Sequence, residues 1–191
     1  MMRIQDITYI ALFAAITAVL GLVPKIDIGI PAIPIPITAQ SLGPMLAGAI
    51  LGTWRGAASQ ALFLMLLAAG ITTLSGGRTG LAVFVFPSAG FVVGFGFAAL
   101  VVGALTERLW NRLTFWKSYA INIFGGIIVL YAFGIPVWWL IQGGSFLLIA
   151  GGSAVLLPGD LMKAALAASL AMFVKRGYPV IHPRKGRGGP A

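Results

Sequence analysis

The sequence predicts an all-α integral membrane protein with six transmembrane helices and both termini in the cytoplasm. Hydrophobic residues make up 59% of the 191 residues, charged residues make up 9%, and the mean hydropathy is +1.00. A soluble domain usually carries about 25% charged residues, so water cannot be the main solvent of this chain. A membrane-spanning helix needs about 20 apolar residues, and a chain of this length with short loops holds about six of them.

The first three predicted helices are separated by a proline-rich segment and by a single arginine. The first apolar segment, residues 7–23, is longer than the core of a signal peptide, so we predict a retained helix. Four prolines between residues 24 and 36 prevent a continuous helix and predict an extended, apolar outer loop. The second helix covers residues 40–53, and the third covers residues 56–73 after a tight turn at Arg55.

The last three predicted helices are bounded by glycine-rich and charged segments. A glycine-rich turn at residues 75–80 precedes the fourth helix, residues 86–106, and a charged loop precedes the fifth, residues 119–141. The sixth helix covers residues 159–174. The uncharged stretch before it could hold another span, but a seventh helix would move the basic tail outside. We therefore predict an apolar outer loop there.

Positive charge determines the predicted orientation. Ten bases fall on the side of the two termini, and only Lys25 and Arg78 fall on the other. Cytoplasmic loops retain Lys and Arg, which predicts cytoplasmic termini. Residues 1–175 are predicted to form a single membrane domain, and residues 176–191 a basic, disordered cytoplasmic tail. The ten bases are Arg3, Arg55, Arg108, Arg112, Lys117, Lys175, Arg176, Arg184, Lys185 and Arg187.

The composition also excludes several classes of function. The chain has no cysteine, and its one histidine, His182, lies in the polar tail, which argues against thiol catalysis and against Cys- or His-built metal centres. A net charge of +9 would suggest a nucleic-acid partner in a soluble protein, but here the bases separate apolar segments and report topology, so none is predicted. No glycine-rich phosphate loop is present, so energy for active transport is expected from other chains.

The strongest site signal is the segment 158–163, Pro-Gly-Asp-Leu-Met-Lys. Asp160 and Lys163 lie three residues apart and share one helix face. Asp160 alone could simply cap the helix. Lys163 lies inside an apolar segment near the positive end of the helix dipole, and ionisable groups at that depth usually face an interior cavity. We predict a ligand-binding pair; the alternatives are a snorkelling lysine or an isolated ion pair.

The two outer loops supply further polar candidates. Irregular backbone near membrane depth is tolerated where it lines a cavity, which makes Thr38 and Gln40 candidate ligand-binding residues. The alternative is that both cap the second helix. Arg78 is the one charge on the second outer loop; it could bind a ligand carboxylate, or it could be a lone surface charge.

Small residues four positions apart mark several helix faces. This spacing lets helices approach closely. For the glycine pairs we favour packing within the chain, whereas the alanine face of the first helix could contact another subunit. The pairs are Ala11/Ala15, Ala14/Ala18, Gly48/Gly52 and Gly90/Gly94.

The order of these motifs resembles the BioY family, the biotin-specific S components of energy-coupling-factor (ECF) vitamin transporters. The likeness covers residues 7–175. Single motifs are weak, but their order and spacing together are specific. They are PIPITAQSL at 34–42, Leu46-Ala47-Gly48 with Gly52, Arg55-Gly56, Gly76-Gly77 with Gly80, Pro87–Phe91 with Gly94, Tyr131 with Gly134, and the segment 158–163.

The resemblance implies the ECF S-component fold, with six helices and a ligand held near the outer face under a lid formed by the first outer loop. It implies high-affinity capture of biotin for uptake across the cytoplasmic membrane of a prokaryote. The partners it implies are biotin, the lipid bilayer, a coupling transmembrane subunit and two cytoplasmic ATPases; no cofactor and no enzymatic activity are expected. The coupling subunit would contact Ala11, Ala14, Ala15 and Ala18, which match the family's alanine face.

The resemblance also assigns roles in the pocket. Asp160 and Lys163 match the family's ligand-binding pair, so Asp160 would accept from the ureido N–H groups of biotin and Lys163 would donate to its carbonyl. Arg78 or loop N–H groups such as that of Gly77 would meet the biotin carboxylate. Candidate apolar walls are Phe86, Phe91, Tyr131 and Trp138, each of which could instead contact lipid or pack internally.

Other functions stay open at this point. One is an S component for another vitamin. A second is a small membrane enzyme that acts on lipid, against which stand the lack of cysteine and of any catalytic cluster. A third is a structural membrane subunit, which would leave Lys163 unexplained.

Overall fold

The computed structural model describes residues 3–26, 36–178 and 180–181, and the regular structure in these ranges is helical apart from one isolated bridge between Ile26 and Ile37. The α-helices are α1 (Ile4–Leu20), α2 (Leu42–Leu51), α3 (Thr53–Ala68), α4 (Ala89–Leu109), α5 (Phe115–Ile123), α6 (Leu130–Gln142), α7 (Phe146–Ser153) and α8 (Leu157–Gly177).

These helices form six rods in the described part of the chain. A π-helical turn, Phe124–Val129, joins α5 to α6 in one continuous rod, and a 3₁₀ turn, Ala154–Leu156, joins α7 to α8 in another. Three rods are long and apolar enough to cross a membrane: Ala89–Arg112, Phe115–Gln142 and Phe146–Gly177. The other apolar helices, α1 and α2, are shorter. The predicted count of six is confirmed, as is the long fifth helix.

The predicted outer loop before the last helix is wrong, because much of it is the helix α7. Gly143 and Gly144 have φ values of +71° and +86° and separate α6 from α7. The next segment has no charge, and its backbone groups are satisfied at membrane depth only by forming a helix. With eight residues α7 is about 12 Å long, which is too short to cross a hydrocarbon core of about 30 Å.

Two predicted helix starts shift because polar side chains bind the first turn. α1 begins three residues early, since the Asp6 carboxylate accepts a 3.0 Å hydrogen bond from the Arg3 backbone N–H. α3 begins directly after Gly52, whose φ of +86° ends α2. The Glu107 carboxylate accepts bonds from the Thr53 backbone N–H at 2.7 Å and its hydroxyl at 2.8 Å, which stabilises that helix start.

The helix α2 lies at the centre of the bundle. All ten of its residues are buried, and it packs against α1, α3, α4 and α8. A Cβ on Gly48 would lie 2.6 Å from the Ala99 carbonyl oxygen of α4, so only glycine permits this approach. Gly90 has the same role between α4 and α6, where a Cβ would lie 2.5 Å from the Phe133 carbonyl oxygen. The predicted internal packing of both glycine pairs is confirmed at these positions.

Helix termini meet at two opposite ends of the bundle. At the first end the Asp6–Arg55 ion pair of 2.9 Å joins α1 to α3, and Lys175 of α8 donates to backbone carbonyls that follow α4. At the second end a 3.3 Å hydrogen bond from Ser41 to Asp160 joins the starts of α2 and α8. The described bases are separated accordingly: Arg3, Arg55, Arg108, Arg112, Lys117, Lys175 and Arg176 lie at the first end, and Lys25, Arg78 and Lys163, which is inside α8, lie at the second.

Two predicted segments lie partly or wholly outside the described residues. The proline-rich lid falls largely on residues 27–35, and the basic tail falls largely on residues 182–191. The helix α8 continues to Gly177, two residues beyond the predicted end of the membrane domain. Val180 and Ile181 are then buried in the hydrophobic core, so the packed part of the chain extends at least that far.

Candidate ligand-binding site

A cavity opens at the second end of the bundle, between α2, α4, α6, α8 and the loop that follows α3. About 90 Å³ of it is open to the centres of water molecules. Its polar lining consists of Thr38, Gln40, Ser41, Ser75, Arg78, Ser88, Tyr131, Asp160 and Lys163. Its apolar lining consists of Pro36, Ile37, Leu74, Phe91, Val92, Phe95, Leu130 and Leu156.

A buried ion pair lies in this cavity. The Lys163 ammonium is 2.7 Å from Asp160 Oδ1, and the side chains are 14% and 7% exposed. Ser41 joins the pair, because its hydroxyl donates to Asp160 Oδ1 at 3.3 Å and accepts from Lys163 Nζ at 2.9 Å. The Tyr131 hydroxyl donates to Asp160 Oδ2 at 2.7 Å. Four side chains from α6, α8 and the start of α2 therefore form one connected polar network.

The network answers the question of whether Asp160 is only a helix cap. α8 begins at Leu157, with proline in its first turn, and the hydrogen bonds that the Asp160 carboxylate accepts come from side chains rather than from helix N–H groups. The capping alternative is therefore wrong. The spacing does place Asp160 and Lys163 on one face, as predicted, and that face lines the cavity.

The network leaves binding capacity for a ligand. A carboxylate offers about four lone-pair sites, and Asp160 uses three of them within the described residues, two on Oδ1 and one on Oδ2. An ammonium has three N–H donors, and Lys163 uses two. One acceptor position of Asp160 and one donor position of Lys163 thus remain, and both side chains line the cavity.

Gln40 lines the cavity, but its side-chain amide forms hydrogen bonds within the protein. Its Nε2 donates to the carbonyls of Thr17 at 3.3 Å and Thr73 at 3.2 Å, and its Oε1 accepts from the Ser75 backbone N–H at 3.2 Å. The side chain therefore ties the end of α1 to the loop after α3, and the alternative that it caps α2 is wrong. Thr38 is half-buried and lines the cavity, and its hydroxyl has no hydrogen bond within the described residues.

Arg78 is the one cation other than Lys163 among the lining residues. Its guanidinium lies 4.6 Å from the centroid of the Phe86 ring and pairs with no carboxylate in the described ranges. Phe86 supports Arg78 from outside and is not part of the wall, contrary to prediction. Gly77 is not part of the lining either: its φ is +81° and its N–H donates to the Leu74 carbonyl at 2.9 Å, so it shapes the turn.

Of the four predicted aromatic walls, Phe91 and Tyr131 are in place, whereas Phe86 and Trp138 are not. Phe91 and Tyr131 both line the cavity and pack edge to face, with ring centroids 5.7 Å apart. Trp138 is fully buried in the core, and its indole N–H donates to Gln142 Oε1 at 2.6 Å. The prediction for Trp138 is wrong because it lies seven residues, about 10 Å, further along α6 than Tyr131.

Several site residues were missed by the sequence reasoning. Ser41 was part of a recognised motif, yet its bond to Asp160 links positions 119 residues apart, which no local pattern reveals. Tyr131 was predicted only as a wall, whereas its hydroxyl orients Asp160. Ser75, Ser88 and Phe95 also line the cavity; the first two lie in recognised segments but were not predicted as site residues. The described residues contain no cluster of acids or histidine that could hold a metal ion.

The alanine face of α1 divides into an inner and an outer pair. Ala14 is 1% exposed and belongs to the hydrophobic core, with Ala18 packed against the same cluster. The prediction that Ala14 contacts another subunit is therefore wrong, whereas for the half-buried Ala18 this contact stays a prediction. Ala11 and Ala15 are exposed and lie on the adjoining part of the helix surface.

Comparison with known proteins gives consistent matches over nearly the whole chain. The model of the BioY family matches residues 1–180. The biotin transporter BioY of Rhizobium etli is 47% identical over 188 residues, covering 96% of this chain and 100% of the relative. The probable biotin transporter BioY of Bacillus subtilis is 38% identical, covering 99% and 100%. A crystal structure of the S-component for biotin from an ECF-type ABC transporter superposes with a TM-score of 0.87 at 28% identity, covering 93% of this chain and 94% of that one.

Proposed function

This chain belongs to the BioY family, and we propose that it is the biotin-capturing subunit of an ECF-type uptake transporter. It is a multi-pass membrane protein whose relatives are named as transporters rather than enzymes. The observation that carries the proposal is the Asp160–Lys163 pair, held by Ser41 and Tyr131 in a cavity with apolar walls.

The free positions of this pair complement the ureido group of biotin. That group has two N–H donors and one carbonyl acceptor. The remaining acceptor position of Asp160 would take a ureido N–H, and the remaining donor of Lys163 would bind the ureido carbonyl. Because Ser41 and Tyr131 already orient the carboxylate, little ordering would be needed on binding. Phe91, Phe95 and Leu130 supply an apolar surface for the thiophane ring.

Arg78 is the residue that we assign to the biotin carboxylate. It lines the cavity from the loop that follows α3, whereas the ion pair lies on α8, and it has no carboxylate partner in the described part of the chain. Its contact with the Phe86 ring keeps the guanidinium in place without using its hydrogen-bond donors. A ligand with a ring at one end and a carboxylate at the other would therefore span from the ion pair to Arg78.

We further propose the finer features of the transporter. The exposed Ala11/Ala15 face would contact the coupling transmembrane subunit, which two cytoplasmic ATPases would drive. The seven described bases at the first end support an orientation with cytoplasmic termini in the inner membrane of a prokaryote. The basic segment 176–191 would be the cytoplasmic tail, of which residues 182–191 lie outside the described residues.

Isothermal titration of the purified chain, without ATP or partner subunits, tests the substrate. We expect saturable binding of biotin and no heat with thiamine or riboflavin. The alternative, an S component for another vitamin, predicts the reverse pattern in the same panel. No binding of biotin alongside a clear signal for another vitamin would overturn the substrate assignment.

A further inference from the structure

A second cavity lies at the first end of the bundle, and the proposed function does not use it. It is formed by the starts of α1 and α3 and by the segment after α8. About 240 Å³ of it is open to the centres of water molecules, compared with about 90 Å³ of the ligand cavity. Six of its seven lining residues have polar or charged side chains: Arg3, Gln5, Asp6, Tyr9, Arg55 and Tyr178, with Val180 as the seventh.

The distance between the two cavities places the second one at a membrane surface. α1 has 17 residues and is about 25 Å long; it starts in the second cavity, and the Thr17 carbonyl near its other end binds Gln40 of the ligand cavity. α8 gives the same separation, since Asp160 and Tyr178 are 18 residues apart, about 27 Å. A hydrocarbon core is about 30 Å thick, so the second cavity lies at the depth of lipid headgroups.

The charges in this cavity are only partly compensated. The Arg55 Nε is 2.9 Å from Asp6 Oδ1, and the Arg55 Nη1 donates to the Val180 carbonyl at 3.2 Å. Asp6 therefore neutralises one arginine, and its Oδ2 accepts from the Arg3 backbone N–H. The Arg3 guanidinium is exposed and pairs with no acid in the described ranges. The cavity thus carries a net positive charge together with hydroxyl and amide donors from Tyr9, Tyr178 and Gln5.

We propose that this cavity binds the phosphate group of an anionic lipid headgroup. Basic pockets between membrane helices at this depth suit such headgroups, and an arginine donates to phosphate in a planar, two-pronged geometry. Arg3 would supply the main contact, while Arg55 stays bound to Asp6 and Val180. A bound headgroup would bridge α1 to the segment after α8 and so stabilise the connection that closes this end of the bundle.

Lipid titration of the full-length chain in a neutral detergent, read by native mass spectrometry, tests the proposal. Phosphatidylglycerol is the anionic probe and phosphatidylcholine the zwitterionic one. We expect Arg3→Gln to weaken binding of the first phosphatidylglycerol about fivefold, the effect of one cation at a membrane surface. The matched control is Arg112→Gln, which removes the same charge from an exposed position at the same end but outside the cavity. Unfolding midpoints without lipid show that both variants are folded.

Three outcomes would overturn the proposal. Equal losses in Arg3→Gln and Arg112→Gln would mean that surface charge attracts lipid without a site. Equal binding of phosphatidylcholine and phosphatidylglycerol would remove the role of negative charge. Displacement of phosphatidylglycerol by millimolar inorganic phosphate, with the same dependence on Arg3, would reassign the cavity from a lipid to a soluble anion.

Discussion

Replacement of Asp160 by Asn tests the central ion pair with almost no change of shape. The wild-type carboxylate accepts from Lys163 at 2.7 Å, from Ser41 at 3.3 Å and from Tyr131 at 2.7 Å. The amide keeps one acceptor oxygen but loses the charge and replaces the other oxygen with a donor. The variant therefore removes a charged acceptor from the ligand and leaves the Lys163 ammonium without its counter-ion.

The expected losses can be stated for binding and for folding separately. A hydrogen bond to a charged group contributes about 1.5–3 kcal/mol, so biotin affinity should fall roughly 10- to 150-fold. Breaking a buried ion pair by removing one partner costs about 3 kcal/mol of unfolding free energy. Because Lys163 is 14% exposed and borders a cavity, the loss of stability should lie at or below that figure.

The matched control is Asp6→Asn at the other end of the bundle. Asp6 is also a buried acid, 8% exposed, with an arginine at 2.9 Å. The same chemical change there should lower the thermal unfolding midpoint comparably but leave biotin titration within about twofold of wild type, given the spread of additivity between distant sites. If Asp160→Asn also binds biotin within twofold, or if Asp6→Asn loses as much affinity, the pair serves folding rather than recognition.

Three further predictions follow from the same structure. Tyr131→Phe should weaken biotin about tenfold in titration, because the hydrogen bond that orients the carboxylate has a charged acceptor and contributes about 1.5 kcal/mol at the lower end of the range; wild-type affinity would remove its positioning role. Arg78→Gln should weaken biotin about tenfold but leave biotin methyl ester unchanged, since only a carboxylate needs the charge; equal losses for both ligands would refute that contact. Ala11→Leu combined with Ala15→Leu should leave the biotin affinity unchanged in titration but abolish co-purification with the coupling subunit; assembly of this double variant would show that the outer face contacts only lipid. Ala14→Leu should instead lower the unfolding free energy by about 1–3 kcal/mol, because it overpacks the core.

The helix boundaries show where local reasoning reaches its limit. The start of α3 depends on the Glu107 carboxylate, which binds Thr53 from 54 positions away. The helix α7 was missed because an uncharged segment of this length can form either a loop or a helix. The surrounding bundle and the two glycines before the segment determine which of the two it forms. Conversely, the packing role of Gly48 and Gly90 was recognised from their spacing, because helices that pack closely need small residues at the contact.

The candidate site divides in the same way. Asp160 and Lys163 were found from a spacing of three residues and from the cost of an ammonium in an apolar helix, both of which are local properties. Ser41 and the role of Tyr131 were not found, because their bonds to Asp160 join α2, α6 and α8. The same limit explains the errors at Trp138 and Gly77, whose residue types suit a pocket but whose positions do not line it.

The sequence by itself determined the membrane class, the six helical rods, the separation of charge between the two ends and the ion pair at the start of the last helix. These follow from hydropathy, charge and short spacings, which act over one or two helix turns. Only the tertiary structure decided which side of each helix faces the cavity, which alanines of α1 stay exposed and which side chains orient Asp160. The physical reason is that a helix in a membrane is apolar on every side, so its rotation is set by packing against its neighbours and not by its own sequence pattern.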